Sequence, residues 1–356
     1  MTNKAILAVA GGGKTESIVQ RCKTKPRRRL LVTYTTTGQQ ELRGRIFGAA
    51  CKEAPEVVGW YSFLIENFLK PYYPSFRPGS SYPGFSFKYK AVRGASGDRT
   101  FSDPEGKIGR EKLAFIARRV YEASNGGPLR RLESMYEEIV FDEVQDLVAS
   151  DLVILEWLLG SSIDVYMVGD LRQTVFETTT SDTKYKQYRG AKKLDWFKEQ
   201  ERKGLLKVTH SIDNHRCSSD IVSLSNKIFD PAYGFADAKS SQEEISSHLG
   251  IFRISEEDVE DYVAHFSPLI LRWNKNSAKK FAGRIPMHNF GKVKGLTVDN
   301  VLIFPTPKMT KFLENGHALE KEAAAKLYVG VTRAKFSVAF VLRKNAVSLD
   351  LRKWPP

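Results

Sequence analysis

The chain has 356 residues, long for one domain and comfortable for two, with 42% hydrophobic and 27% charged residues, ordinary for a soluble globular protein. Lysine and arginine total 55 against 41 aspartates and glutamates, a net charge of +14, so a polyanionic partner is expected, nucleic acid before membrane. Three scattered cysteines indicate neither a disulfide framework nor a CxxC zinc site, and no apolar stretch reaches membrane-spanning length, so a reducing, cytoplasmic setting is expected.

The first element is the apolar run Ala5–Ala10, of strand length. It feeds Gly11-Gly12-Gly13-Lys14-Thr15, the strand–loop–helix layout of a phosphate-binding loop, with Ala8 where a first glycine is usual. The glycines let backbone N–H groups curl around phosphate oxygens, and the helix that follows points its positive end at them. Lys14 is expected to reach the β- and γ-phosphates of ATP, and Thr15 to hold Mg²⁺.

Further strands are expected at 30–34, 138–141, 165–168, 269–273, 301–304 and 338–342. Helical patterning appears at 38–47, 61–69, 112–123, 219–229 and 323–329. This alternation predicts an α/β fold, with parallel sheets covered by helices and a RecA-like architecture around the phosphate loop. Two stretches break the rhythm. Pro71–Asp103 reads as an irregular insertion, within a region of about Lys70–Gly109, and Glu177–Gly190 reads as an exposed polar loop. The halves divide near Gly204, giving domains 1–204 and 205–356. His210, His215 and Cys217 read as loop residues around Arg216 rather than as a metal site.

Two strand ends carry chemistry. Ile139-Val-Phe-Asp142-Glu143-Val-Gln-Asp146 closes a buried strand with adjacent carboxylates. Asp142 suits the Mg²⁺ that bridges phosphates, and Glu143 suits the base that orients and deprotonates the attacking water. The next strand ends in Gly169-Asp170, and Gln173 follows closely, where a polar side chain can sense the γ-phosphate and pass its presence to a nearby aromatic.

These blocks, in this order, resemble the superfamily 1 DNA helicases of the UvrD/Rep type. Thr33–Arg45 resembles the family's first single-strand-contacting motif, and Gly59-Trp-Tyr-Ser-Phe63 its Thr-x-His-Ser-Phe motif. Asp142–Asp146 is similar to its Asp-Glu-x-Gln-Asp box, Asn214-His-Arg216-Cys-Ser-Ser219 to its Asn-Tyr-Arg-Ser motif, Lys292-Val-Lys-Gly-Leu296 to its Lys-x-Lys-Gly-Leu-Glu motif, and Leu327–Lys335 to its Tyr-Val-Ala-x-Thr-Arg-Ala motif. The resemblance implies two RecA-like lobes with NTP hydrolysed between them. It implies that Arg216 and Arg333 act as arginine fingers. Thr35, Thr36 and Ser62 would bond phosphates of single-stranded DNA, as would Lys292 and Lys294. Tyr34, Trp60 and Phe176 would stack bases, each worth about 1–3 kcal/mol; core packing is an equal alternative for Trp60 and Phe176. Phosphate contacts and stacking would serve RNA as well as DNA.

Thr297 stands where the family has Glu, and Arg189-Gly-Ala191 follows the third motif only after the polar loop. The adenine-reading Gln of the family has no counterpart before the first strand, so recognition is expected to rest on triphosphate and Mg²⁺. Only about 75 residues separate Arg216 from Lys292, leaving little room for the family's second-lobe insertion. The resemblance therefore implies a compact 3′→5′ single-strand translocase or helicase. The alternative is a DNA-stimulated ATPase acting as a regulatory or sensing subunit beside a nuclease, in bacterial defence or DNA repair, with little unwinding of its own.

Overall fold

Short runs rich in Val, Ile and Leu are buried on both faces, which is the mark of strands in a parallel sheet covered by helices. The computed structural model describes residues 3–24, 26–49, 54–89, 97–175, 177–243, 245–319, 321–343 and 351–355. They form two units, each an α/β assembly of the RecA-like kind built on a six-stranded sheet. One unit comprises Met1–Leu7, Lys14–Gly169 and Phe176–Thr209. The other comprises Ala8–Gly13, Asp170–Val175 and His210–Pro356. The main division thus falls after Thr209, a few residues beyond the expected Gly204, and two short segments from the first half pack with the second unit.

The first sheet contains β1 (Lys4–Ala8), β2 (Arg29–Thr33), β3 (Glu56–Gly59), β4 (Glu138–Phe141), β5 (Asp164–Gly169) and β6 (Lys207–Ser211). Its order is β3-β2-β4-β5-β1-β6. The pairings from β3 through β1 are parallel, with Leu31 opposite Val140 and Ile6 opposite Val168. Helix α1 (Lys14–Thr24) follows β1, and α2 (Thr36–Gly48) follows β2. Ile18, Val19 and Cys22 of α1 and Leu42 and Ile46 of α2 pack on Leu31, Val57, Val140 and Val168. Thr35 caps α2 by accepting a hydrogen bond from Gly38 N at 3.0 Å.

The helix expected at 61–69 is split. It runs as α3 (Trp60–Leu64), a π-turn at Ile65–Leu69 and then α4 (Lys70–Phe76). The irregular insertion therefore begins with a helix that contains Pro74, and Phe85–Ser86 pairs with Ile108–Gly109. Helices α5 (Leu113–Ala123), α6 (Gly127–Met135), α7 (Ser150–Leu159) and α8 (Lys193–Arg202) complete the unit.

The polar stretch Glu177–Gly190 is not an exposed loop throughout. Thr178, Thr179 and Asp182 are buried. Ser150 Oγ donates to Asp182 Oδ2 at 2.5 Å, and Arg189 donates to Glu177, Thr179 O and Asp182 O. Buried threonines and aspartate are tolerated here because each finds a partner.

The second sheet contains β7 (Gly250–Ile254), β8 (Leu269–Arg272), β9 (His288–Asn289), β10 (Val298–Ile303), β11 (Ala334–Val341) and β12 (Arg352–Lys353), in the order β9-β8-β10-β11-β7-β12, all parallel. Helices α9 (Ser219–Lys227), α11 (Pro307–Asn315) and α12 (Lys321–Val331) cover one face. Helix α10 (Val259–Phe266) covers the other. There the His248 ring stacks between Phe252 and Phe266, at 4.3 and 3.7 Å between centroids, and Nε2 lies 2.9 Å from Tyr262 Oη.

Burial pushes the His248 pKa down to about 4. The neutral ring is thus favoured in the folded state. Its contribution is present above the unfolded value near 6.5 and is lost as pH falls toward 4. Denaturant melts of wild type should therefore lose stability between pH 6.5 and 4 more steeply than melts of His248→Phe. Parallel pH profiles for the two proteins would count against this.

Candidate functional site

A parallel sheet presents the turns that follow its strands at one edge. In the first sheet the phosphate loop follows β1, Asp142 and Glu143 follow β4, and Asp170–Gln173 follows β5, which lies between the two. The loop glycines hold defined conformations. Gly11 and Gly13 have φ of +72° and +71°, the left-handed region. Gly12 N donates to Val9 O at 3.0 Å, closing a tight turn. A Cβ on Gly11 would lie 2.6 Å from Asn214 Oδ1 and 2.8 Å from Arg216 Cβ. Lys14 and Thr15, both half-buried, open α1, whose first-turn N–H groups have no partner within the helix.

The carboxylate turn is held from several sides. Asp142 N donates to Val32 O at 2.9 Å, and Asp142 Oδ1 accepts from Glu143 N at 2.9 Å. Glu143 sits at φ 55° and ψ 40°, a left-handed conformation that costs a non-glycine residue about 1–2 kcal/mol. Gln145, fully buried, donates from Nε2 to Glu143 Oε2. Lys193, also fully buried, donates from Nζ to Gln145 O, and Thr178 N donates to Asp146 O at 3.1 Å. These bonds impose the strained turn and fix the Glu143 carboxylate.

Thr15 and Asp142 offer hard oxygen ligands, and among the described residues no three His, Cys, Asp or Glu side chains cluster as a self-sufficient metal cage. One hydroxyl and one carboxylate, completed by phosphate oxygens and water, is a donor set that fits Mg²⁺.

Within the second unit, the turn Asn214–Arg216 lies on the phosphate-loop segment. His215 N donates to Gly11 O at 3.1 Å, and Asn214 Oδ1 accepts from the N–H groups of Arg216 and Cys217 at 2.9 Å each. Arg216 is half-buried, with Nη1 3.2 Å from Thr332 O. Gln173 is buried, and its Nε2 donates to Asp170 Oδ2 at 2.8 Å.

Arg333 departs from the expected finger. It is 2% exposed, with Nε donating to Val329 O at 3.0 Å, Nη1 to Leu296 O at 3.3 Å and Nη2 to Thr332 Oγ1 at 3.3 Å. In this conformation it braces the Lys292–Leu296 loop against α12. Arg216 is the more accessible guanidinium.

The expected nucleic-acid contacts separate into surface and core. Tyr34 follows β2 and is half-buried, edge-on to Tyr61 at 5.8 Å, with the two hydroxyls 3.2 Å apart. Thr36 and Ser62 are exposed, and Thr35 spends its hydroxyl on the α2 cap. Lys292 is exposed and Lys294 half-buried. Trp60 must be corrected. It is 1% exposed, stacked on Phe63 and edge-on to Phe141, with Nε1 donating to Asp151 Oδ1 at 2.8 Å, so no ring face remains for a base. Phe176 lies outside the described residues. Tyr61, Lys193 and Tyr328 are given no role by the sequence, and Asp170 only marks the end of its strand. Tyr61 and Tyr328 stand inside the recognised motifs, whereas nothing in the sequence marks Lys193 as buried.

Among the described residues no helix is long and apolar enough to cross a membrane. No protein-family model and no curated protein matches the chain. Solved structures do resemble it. The PRRSV helicase is 12% identical over 95% of this chain and 52% of its own, with a TM-score of 0.45. Arterivirus nonstructural protein 10, a helicase, is 14% identical over 96% of this chain and 59% of its own, and its complex with DNA is 14% identical over 96% and 61%; both have a TM-score of 0.47. The chain spans between half and two-thirds of those proteins' length.

The anchor of Trp60 is itself testable. Asp151 is wholly buried and accepts from Trp60 Nε1, from Val148 N at 2.9 Å and from Thr178 Oγ1. Burial pushes its pKa up to about 6, against these donors and Lys193, so it is ionised at neutral pH. In Asp151→Asn an amide NH₂ must face donors. The variant should lose about 1–3 kcal/mol at pH 7 by urea denaturation. Because the wild-type carboxyl is protonated more readily folded than unfolded, its stability contribution is full below the unfolded value near 3.8 and is lost as pH rises through about 6. The deficit of Asp151→Asn should therefore change across pH 4–6, and a pH-independent difference would contradict the assignment.

Proposed function

We propose that the chain is an NTP-driven motor on single-stranded nucleic acid, a translocase or helicase of superfamily 1. The observation that carries the proposal is the gathering of the phosphate loop, the Asp142–Glu143 turn and the Gln173 turn after three adjacent strands, β1, β4 and β5, of one parallel sheet. A net charge of +14 supports the polyanionic track. DNA as the track and 3′→5′ direction rest on the resemblance of the motifs to the UvrD/Rep type.

In this reading the backbone of Gly11–Gly13, with Lys14, binds the phosphates. Thr15 and Asp142 hold Mg²⁺, which supplies neutralisation of phosphate charge. Glu143 orients the attacking water and takes its proton, with Gln145 fixing the carboxylate's rotation. Arg216 stabilises charge on the transferred group. Arg333 acts there only if its guanidinium leaves Val329 and Leu296. Tyr34, Thr36, Ser62 and Lys292 offer the exposed or half-exposed contacts to nucleic acid, with Tyr61 supporting Tyr34.

Lys14 and Glu143 have different tasks, so their loss should read differently. Lys14→Ala should weaken nucleotide binding and turnover together. Glu143→Gln should bind nucleotide normally and lower kcat by about 10²–10⁴. Steady-state phosphate release and fluorescent-nucleotide titration measure both, and near-normal turnover in Glu143→Gln would remove the assignment of the base.

Affinity for single-stranded DNA should fall steeply with salt and depend little on sequence, because counterion release dominates it. Added single strands should raise NTP turnover. Fluorescence anisotropy from 20 to 300 mM salt tests this, and no binding at the lowest salt would end the motor reading.

A further inference from the structure

Tyr328 lies in α12, fully buried, and its hydroxyl is used on both sides. Ala10 N, in the phosphate-loop segment, donates to Tyr328 Oη at 3.1 Å. Tyr328 Oη donates to Asp170 Oδ2 at 3.1 Å. The same carboxylate oxygen accepts from Gln173 Nε2 at 2.8 Å, and Asp170 Oδ1 accepts from Arg172 N at 3.1 Å. All five residues belong to the second unit, and Ala10 and Tyr328 share its core with Val9.

The polarity of this chain is fixed by chemistry. A backbone N–H only donates and a carboxylate only accepts, so the phenol must accept from Ala10 and give its proton to Asp170. The carboxylate in turn dictates the Gln173 amide: Nε2 faces Asp170, and Oε1 with the second N–H remain for other partners. The ring is held edge-on by Phe229 at 5.9 Å, with the Arg172 guanidinium 5.7 Å from its centroid. Burial and the neighbouring Asp170 keep the phenol protonated far above the usual range. One hydroxyl thus ties the backbone of the phosphate loop to the turn that aims Gln173.

We propose that Tyr328 is a positioning residue of the nucleotide site, setting the phosphate loop and the Gln173 side chain as one unit. It touches no substrate; it acts through Ala10 and Asp170. The proposal rests on the reading of this loop as a nucleotide site.

The test is Tyr328→Phe, which keeps the ring and removes only the hydroxyl. Asp170→Asn is the second variant: it leaves the ring untouched and replaces one of the two accepting oxygens with an NH₂ that must face a donor, Arg172 N on one side or Tyr328 Oη and Gln173 Nε2 on the other. Three quantities are read for each: affinity for a fluorescent Mg-nucleotide, KM and kcat with saturating single-stranded DNA, and the shift in melting temperature produced by Mg-nucleotide and, separately, by DNA. The expected result is a nucleotide Kd and KM raised about tenfold, or about 1.4 kcal/mol. The nucleotide-induced thermal shift should shrink, while DNA affinity and the DNA-induced shift stay at wild-type values. A residue that merely fills the core would lower the melting temperature without separating the two ligands. The double variant should show less than the product of the single effects, since both break one chain.

Nucleotide Kd and KM within twofold of wild type in Tyr328→Phe overturn the proposal, as does equal weakening of nucleotide and DNA. Should Tyr328→Phe fail to fold, Asp170→Asn decides by the same criteria. Wild type that neither binds nor hydrolyses NTP, or a fully active Lys14→Ala, would instead fail the functional reading on which the proposal stands.

Discussion

Parallel pairing is the constraint on which the rest of the site depends. Parallel neighbours need a crossover, so each strand leaves the sheet at the same edge and a helix returns outside it. Chemistry that is scattered over residues 11–173 in sequence is thereby collected by strand order alone. The order of the first sheet sets β5 between β1 and β4. The ends of β4 and β1 are thus two strands apart, with the end of β5 between them. Glycine serves this arrangement at Gly169 too, where a Cβ would lie 2.6 Å from Gln145 Oε1. The β5 end must stay bare so that the Gln145 side chain can reach Glu143.

Buried polar groups then fix what the sheet collects. Lys193 on α8, Gln145, Thr178 and Asp151 are all buried, and all are hydrogen-bonded. A buried charge that lost its partner would cost several kcal/mol, so these residues bind α7, α8, the 177–190 stretch and the Asp142–Asp146 turn into one arrangement. The positive φ at Glu143 has the same logic. A conformation that an isolated chain would avoid persists because Gln145, Lys193 and Thr178 hold its surroundings.

The fold class was legible in the sequence because its strands are short, β-branched and bounded by turn residues. The strand Glu138–Phe141 shows this, and the helix Leu113–Ala123 was legible by its own 3.6-residue period; the boundaries of both agree with the elements observed within a residue. Ser150–Leu159 was not read as a helix, and the reason is physical. It is apolar nearly all round, so it carries no amphipathic period by which a buried helix can be told from a strand. Gly250–Ile254 was missed because a five-residue strand with a glycine and an arginine lacks the apolar run that signals burial. The Thr178–Thr183 tract misled in the opposite direction. Hydroxyl-rich sequence usually means solvent, yet here Thr178 Oγ1 donates to the buried Asp151 on α7 and the buried Asp182 accepts from Ser150 Oγ of the same helix, a matching no local pattern reveals.

The candidate site was legible where chemistry demands a residue type at a fixed spacing, as at Gly11–Thr15 and Asp142–Glu143. It was less legible where the same residue type serves two roles. Trp60 and Arg333 both stand inside motifs that resemble ligand contacts, and both are turned inward, one to Asp151, the other to backbone carbonyls. An indole or a guanidinium is as good at bracing a loop as at meeting a ligand, since each needs only acceptors in reach. Motif position therefore identifies where a side chain stands, and its hydrogen-bond partners identify what it is doing. By that criterion Arg333 maintains the loop that carries Lys292 and Lys294. Arg216 is half-buried, shares a turn with the Asn214 side chain that lies against Gly11, and, among the described residues, donates only its Nη1 to a backbone carbonyl, that of Thr332.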